Sequence, residues 1–98
     1  MIVRELDLKA VPNQQISFDR NGIRWEITLK IALTSMVAFI SRDNVQLIPS
    51  GVRVCCNSPI IPFKHLSGSG NFMLLTDGEE EADYNKFGLT QFLVFIHD

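Results

Sequence analysis

The side chains that most often carry out chemistry are few in this sequence and are not grouped. Cys55 and Cys56 are adjacent, so a bond between them would close a strained ring, and neither has a second cysteine at metal-ligand spacing. A cysteine nucleophile needs a histidine base, and only His65 or His97 could reach Cys56 through folding. No Asn or Asp stands in a recognisable context to orient such a base. We therefore predict reduced thiols and no enzymatic activity.

Two loops have the composition of ligand-binding motifs without their spacing. Residues 77–83 contain five acidic side chains but lack the alternating ligands and central glycine of a calcium loop, and whether they bind a cation stays open. Residues 67–71 are rich in glycine but lack the Lys-Ser/Thr ending of a phosphate loop. The sequence thus predicts a solvated loop and a turn, with no metal and no cofactor.

Length and composition indicate one ordinary globular domain over residues 1–98. The chain is 46% hydrophobic and 20% charged, which is typical of a folded protein. Its net charge is −2 and its basic residues are scattered, which argues against a nucleic-acid partner. No segment approaches the roughly 20 apolar residues of a spanning helix, and charges near the start argue against a signal peptide. We expect no membrane partner.

The clearest pattern is a strand, a tight turn and a second strand. From residue 23 to residue 31 apolar side chains alternate with polar ones, which is the period of a strand with one buried face. Asn21 and Gly22 separate this run from an earlier one that begins at Ile16, and both residues tolerate the positive φ of a type I′ turn. The pattern predicts a β-hairpin.

Other short strands follow at roughly ten-residue spacing. They are predicted at residues 36–41, 45–48, 52–56, 71–76 and 89–96. Asp43-Asn44 forms the turn of a second hairpin, and the proline-containing residues 57–66 form an extended, partly buried connection. No helical period is present. We predict an all-β fold, a small antiparallel barrel or sandwich of six to seven short strands.

The last predicted strand is apolar on both faces, because residues 92–96 are all apolar. Residues 72–75 share this property. In so small a chain, either these two strands run side by side through the centre, or another subunit covers one face. The sequence leaves both arrangements open.

Several short sequence words together carry a family resemblance. They are AVPNQ at residues 10–14, the hairpin at Gly22, SGVR at 50–53, PIIP at 59–62, GNF at 70–72 and DYNKFGLTQFL at 83–93. In these words and their order, over nearly the whole chain, the sequence resembles the baseplate plug proteins of contractile-tailed bacteriophages, of which a cyanophage protein is the type. The resemblance implies a small all-β structural subunit near the junction of tube and central spike.

The resemblance also implies where the chain works and with what. We expect it in the virion, in the tail baseplate, after assembly in the cytoplasm of the bacterial host. Its partners would be hub, tube and spike subunits, and its own copies would form a homo-oligomer or a ring. An alternative is a stand-alone small β-barrel module that binds a peptide or a small ligand in the barrel mouth.

The expected contact residues lie near the C-terminal end. In the loop they are Tyr84, Phe87 and Leu89. On the last strand they are one face, either Phe92, Val94 and Ile96, or Leu93 and Phe95.

Overall fold

The structure is a computed structural model that describes residues 1–78 and 80–97, so Glu79 of the predicted acidic loop lies outside the described residues. Its strands are β1 (Ile2–Leu6), β2 (Gln14–Arg20), β3 (Ile23–Ala32), β4 (Ser35–Arg42), β5 (Val45–Gln46), β6 (Val52–Arg53), β7 (Asn71–Thr76) and β8 (Gln91–His97). Two 3-10 turns, Lys64–Leu66 and Tyr84–Lys86, precede β7 and β8. None of the described residues forms a helix long and apolar enough to cross a membrane.

The strands form two antiparallel sheets that pack face to face. The small sheet has the order β1-β8-β7, and the large sheet has the order β2-β3-β4-β5, with β6 also pairing with β4. The predicted all-β fold is confirmed, as a sandwich-like arrangement and not a closed barrel. The structure has eight strands, and the additional one is β1. Residues 2–5 of β1 are exposed on both faces, so no alternating pattern marks this strand.

The large sheet follows the predicted hairpins. Asn21 and Gly22 have φ values of 53° and 78°, as a type I′ turn requires, and they place Arg20 opposite Ile23. Asp43 and Asn44 have φ values of 51° and 66° between β4 and β5. The predicted strand at residues 52–56 is shorter than expected, with only Val52–Arg53 in the sheet. Both predicted hairpin turns are confirmed.

The turn between β3 and β4 has no such signal. Its first residue, Leu33, has a φ of 59° and a side chain that is 99% exposed. Leucine rarely adopts this conformation, because its Cβ approaches the following carbonyl oxygen. The pairing of Ala32 with Ser35 closes the hairpin across this turn.

Four aromatic rings join the two sheets at the centre of the core. Phe95 of β8 lies 5.0 Å from the ring of Phe18, 5.0 Å from Trp25 and 5.1 Å from Phe72. Such pairs contribute about 0.5–1.5 kcal/mol each beyond the area they bury. Gly70 packs against this cluster, and a Cβ at that position would overlap the Phe95 ring. The core therefore depends both on the large Phe95 ring and on the absence of a side chain at Gly70.

The connection before β7 covers that strand's free edge. The backbone N–H groups of Asn57 and Ile60 donate to the carbonyls of Leu74 and Phe72, each at 2.8 Å. Ile60 and Ile61 are buried, which confirms the predicted extended, partly buried connection. Within residues 1–78 and 80–97, β1 pairs with β8 alone, so no described strand covers its outer edge.

Candidate protein-interaction surface

The strand β8 lies in the middle of the small sheet and has two different faces. Leu93 and Phe95 point toward the large sheet and are fully buried. The alternate residues Phe92, Val94 and Ile96 point outward, because successive strand side chains face opposite sides. Of the two arrangements left open by the sequence, the side-by-side placement of β7 and β8 is observed. A subunit that covers the outward face stays a prediction.

Three of the expected contact residues lie in the chain's own core. Leu93 and Phe95 have no exposed surface, and Phe87 is only 5% exposed. These side chains pack with the buried cluster between the two sheets, so a partner cannot touch them while the chain is folded. Contact of a partner with Phe87, Leu93 and Phe95 stays a prediction, and it would require these side chains to leave the core.

The other loop residues are placed differently. Tyr84 is half-buried against the edge of the core. Leu89 is 74% exposed and stands beside the outward face of the small sheet. Leu89 and Phe92 are therefore the expected contacts that are best placed to meet a partner.

The outward side of the small sheet carries a continuous group of apolar side chains, which we call the apolar face. It comprises Val3, Met73, Leu75, Leu89, Phe92, Val94 and Ile96, of which Val94 is buried at 5% exposure beneath its neighbours. The strand register brings them together, with Val3 opposite Ile96, Met73 opposite Val94 and Leu75 opposite Phe92. Val3 is 53% exposed and Leu75 is 37% exposed. Sequence reasoning missed Val3, Met73 and Leu75 as surface residues, because only the register shows which side they share.

Two shallow clefts flank Phe92 on the apolar face. The first, of about 350 Å³, lies on the β7 side and is lined by Leu75, Leu89 and Asp77. The second, of about 240 Å³, lies on the β1 side and is lined by Glu5 and Asp7. Phe92 thus lies between two clefts, each of which has both apolar and acidic side chains in its lining.

The loop that presents Leu89 is anchored by a buried amide. The Gln91 side chain donates from Nε2 to the carbonyl of Glu81 at 2.8 Å and accepts through Oε1 from the N–H of Asp83 at 2.9 Å. Asp83 in turn accepts from the N–H of Asn85 at 3.0 Å and caps the 3-10 turn. Sequence reasoning missed Gln91, which is fully buried. The loop is therefore held in one position relative to β8.

An ion pair adds to this anchor. The Lys86 ammonium lies 3.2 Å from the Glu80 carboxylate. The hydrogen bond from Lys86 lowers the pKa of Glu80 below its ordinary value. One carboxylate of the acidic loop is therefore paired within the chain. Among residues 1–78 and 80–97, no group of three or more His, Cys, Asp or Glu side chains is arranged to hold a metal ion.

The structure does not assemble a cysteine active site. Both thiols are free and line a surface cleft of about 420 Å³, together with Arg53, Glu80 and Glu81, and no described histidine lines this cleft. Burial raises the pKa of the Cys56 thiol, and the neighbouring Cys55 and Glu80 raise it further. A reactive thiol needs the opposite shift.

The histidines serve other contacts. His97 is buried, stacks on Phe95 and accepts a hydrogen bond at Nε2 from Arg20 Nε at 2.9 Å. His65 lies on the surface beside Phe63. The alternative of a barrel mouth also finds no match, because the sheets do not close and aromatic rings fill the space between them.

A known protein family matches nearly the whole of this chain. A family model described as "Cyanophage baseplate Pam3 plug gp18" matches residues 3–98, which include both sheets, the apolar face and the loop that carries Leu89. No curated protein matches the chain. The match confirms the resemblance predicted from the short sequence words. The chain belongs to the cyanophage baseplate plug family.

Proposed function

We propose that this chain is a structural plug subunit of a contractile bacteriophage tail baseplate, and that it acts through protein-protein contacts and not by catalysis. The family match over residues 3–98 carries the proposal. The apolar face supports it, because contiguous exposed apolar surface on a small protein is typical of an interaction site. A chain with this role resides in the virion tail after assembly in the host cytoplasm.

The mechanism is geometric. The rigid sandwich holds Phe92, Leu75 and Leu89 in fixed relative positions, so a neighbouring hub, tube or spike subunit meets a preformed surface. Copies of the chain in a homo-oligomer or ring would use a different feature, the open outer edge of β1. Unpaired backbone groups on such an edge accept a further strand.

The absence of catalysis is part of the proposal. The raised pKa of Cys56 keeps its thiol protonated near neutral pH, and no described histidine lines its cleft. The partly exposed side chains that the sandwich holds in place are instead those of the apolar face, and apolar side chains suit a contact surface.

Deletion and complementation of the gene test the proposal. Tails made without the gene should lack the plug or fail to assemble, and the wild-type gene should restore it. Leu89→Asp places a charge at the centre of the expected contact, and it should reduce the plug content of purified tails by about tenfold or more, as expected for a hot-spot residue. Mass spectrometry of purified tails measures the plug content.

Leu33→Asp is the matched control, because Leu33 is also an exposed leucine but lies in the turn between β3 and β4. It should leave the plug content unchanged. Both variants should unfold at the wild-type temperature. Normal tails without the gene, or tails from which the wild-type chain is absent, would refute the role.

A further inference from the structure

We infer that the apolar face binds a surface of another baseplate subunit that is apolar at its centre and carries Lys or Arg side chains at its rim. This inference rests on the proposed function and adds the chemistry of the partner. It follows from the carboxylates around Phe92, which are unpaired, whereas the carboxylates around Arg24 on the opposite face are paired within the chain.

The carboxylates beside Phe92 all lack partners. Glu5 and Asp7 line the cleft on one side of Phe92, and Asp77 lines the cleft on the other side. None of the three makes a hydrogen bond or an ion pair through its side chain among the described residues. No described Lys or Arg lines either cleft. The charged side chains that line the two clefts beside Phe92 are therefore all negative.

Carboxylates on the opposite side of the molecule are arranged differently. On the outer face of the large sheet, Arg24 lies 3.7 Å from Asp19 and 3.6 Å from Glu26. The chain pairs both of these acidic groups with one of its own guanidinium groups. Charges left unpaired around an apolar centre complement a partner of opposite sign, which steers association and fixes the docked orientation.

The same charges argue against a second copy as the occupant of this face. Face-to-face pairing of two copies would bring the carboxylates of each rim against those of the other, and like charges in contact disfavour association. A different subunit with basic rim residues removes this repulsion and pairs with Glu5, Asp7 and Asp77. The occupant is thus a distinct baseplate protein.

The test uses the purified full chain and the tails or partial baseplates that form without it. Binding is measured by sedimentation of the tails with labelled chain, over a series of salt concentrations. Wild-type binding should weaken as salt rises, because salt screens the rim charges. Glu5→Lys with Asp77→Lys should weaken binding by roughly tenfold at low salt and should reverse the salt dependence. The neutral pair Glu5→Gln with Asp77→Asn should lie between.

The matched control is Asp19→Lys with Glu26→Lys, which changes the net charge equally on the opposite face. It should bind tails as the wild type does, and thermal unfolding should show that all variants are folded. Salt-independent wild-type binding that the Glu5 and Asp77 variants do not alter would overturn this inference and leave the plug role intact. Failure of the wild-type chain to bind the tails at all would overturn both.

Discussion

The outer faces of the two sheets come from similar strands and carry opposite chemistry. The strands β2 and β3 of the large sheet present polar side chains such as Thr28, with charges that pair around Arg24. The apolar Phe39 on the same face lies against Lys30 and Gly51. The small sheet presents apolar side chains around Phe92, with carboxylates that pair with nothing in the described chain. We propose that a partner covers this second face, and mutation can distinguish the two faces.

The largest expected effect separates the two sides of β8. Phe95→Ala should lower the free energy of unfolding by about 3–5 kcal/mol, because it empties the centre of the aromatic cluster. Phe92→Ala should lower it by only about 1 kcal/mol, because the Phe92 side chain is partly exposed. Urea unfolding measures both values. Similar losses from the two variants would mean that the apolar face belongs to the folding core.

A smaller effect concerns the polar face. Arg24→Ala removes two exposed ion pairs and should cost at most about 1 kcal/mol of unfolding free energy at low salt. The loss should vanish near 1 M salt, where charges are screened within about 3 Å. Thermal unfolding at both salt concentrations gives the comparison. The control is Arg53→Ala. Arg53 is an exposed arginine that makes no ion pair among the described residues.

The Arg24→Ala variant also tests how the charges of the two faces differ. With Arg24 removed, Asp19 and Glu26 lose their ion pairs, and Glu26 keeps only the hydrogen bond from Gln15. A loss that persists at high salt would show that Arg24 acts through packing and not through charge. The ion pairs of Arg24 would then not stabilise the polar face.

The smallest effect concerns the loop that carries Leu89. Glu80→Gln removes the charge that pairs with Lys86, and it should lower the melting temperature slightly at neutral pH. The folded-state pKa of Glu80 is lowered, so its contribution is present above the ordinary glutamate pKa of about 4.3 and is lost as the pH falls through the lower folded value. Melting temperatures of variant and wild type should converge once the pH falls below the lowered folded-state pKa of Glu80. A difference that grows with acidity would contradict the ion-pair account.

Local sequence signals predicted much of the fold where a turn has a chemical cause. Asn21-Gly22 and Asp43-Asn44 adopt positive φ values because their side chains, or the lack of one, tolerate them. The turn at Leu33 has no such cause in its own residues, and the pairing of β3 with β4 imposes it. The strand β1 also escaped prediction, since its exposure on both faces removes the alternation that marks a half-buried strand.

The candidate site was predicted in part for a similar reason. Five consecutive apolar residues at 92–96 predict a strand with two apolar faces, but they do not indicate which face packs against the large sheet. Leu93 and Phe95 were therefore as plausible as Phe92 for contact with a partner. The ring contacts of Phe95 with Trp25 and Phe72 place the odd-numbered side inward.

By itself the sequence determined the fold class, the two turn-directed hairpins and the family, because each depends on local composition or on words in a fixed order. Only the tertiary structure decided that Val3, Leu75 and Leu89 join Phe92 on one surface, with unpaired carboxylates at its rim. These residues are far apart along the chain, and the register of β1 and β7 against β8 brings them together. A shift of one residue in that register would turn every side chain to the other face.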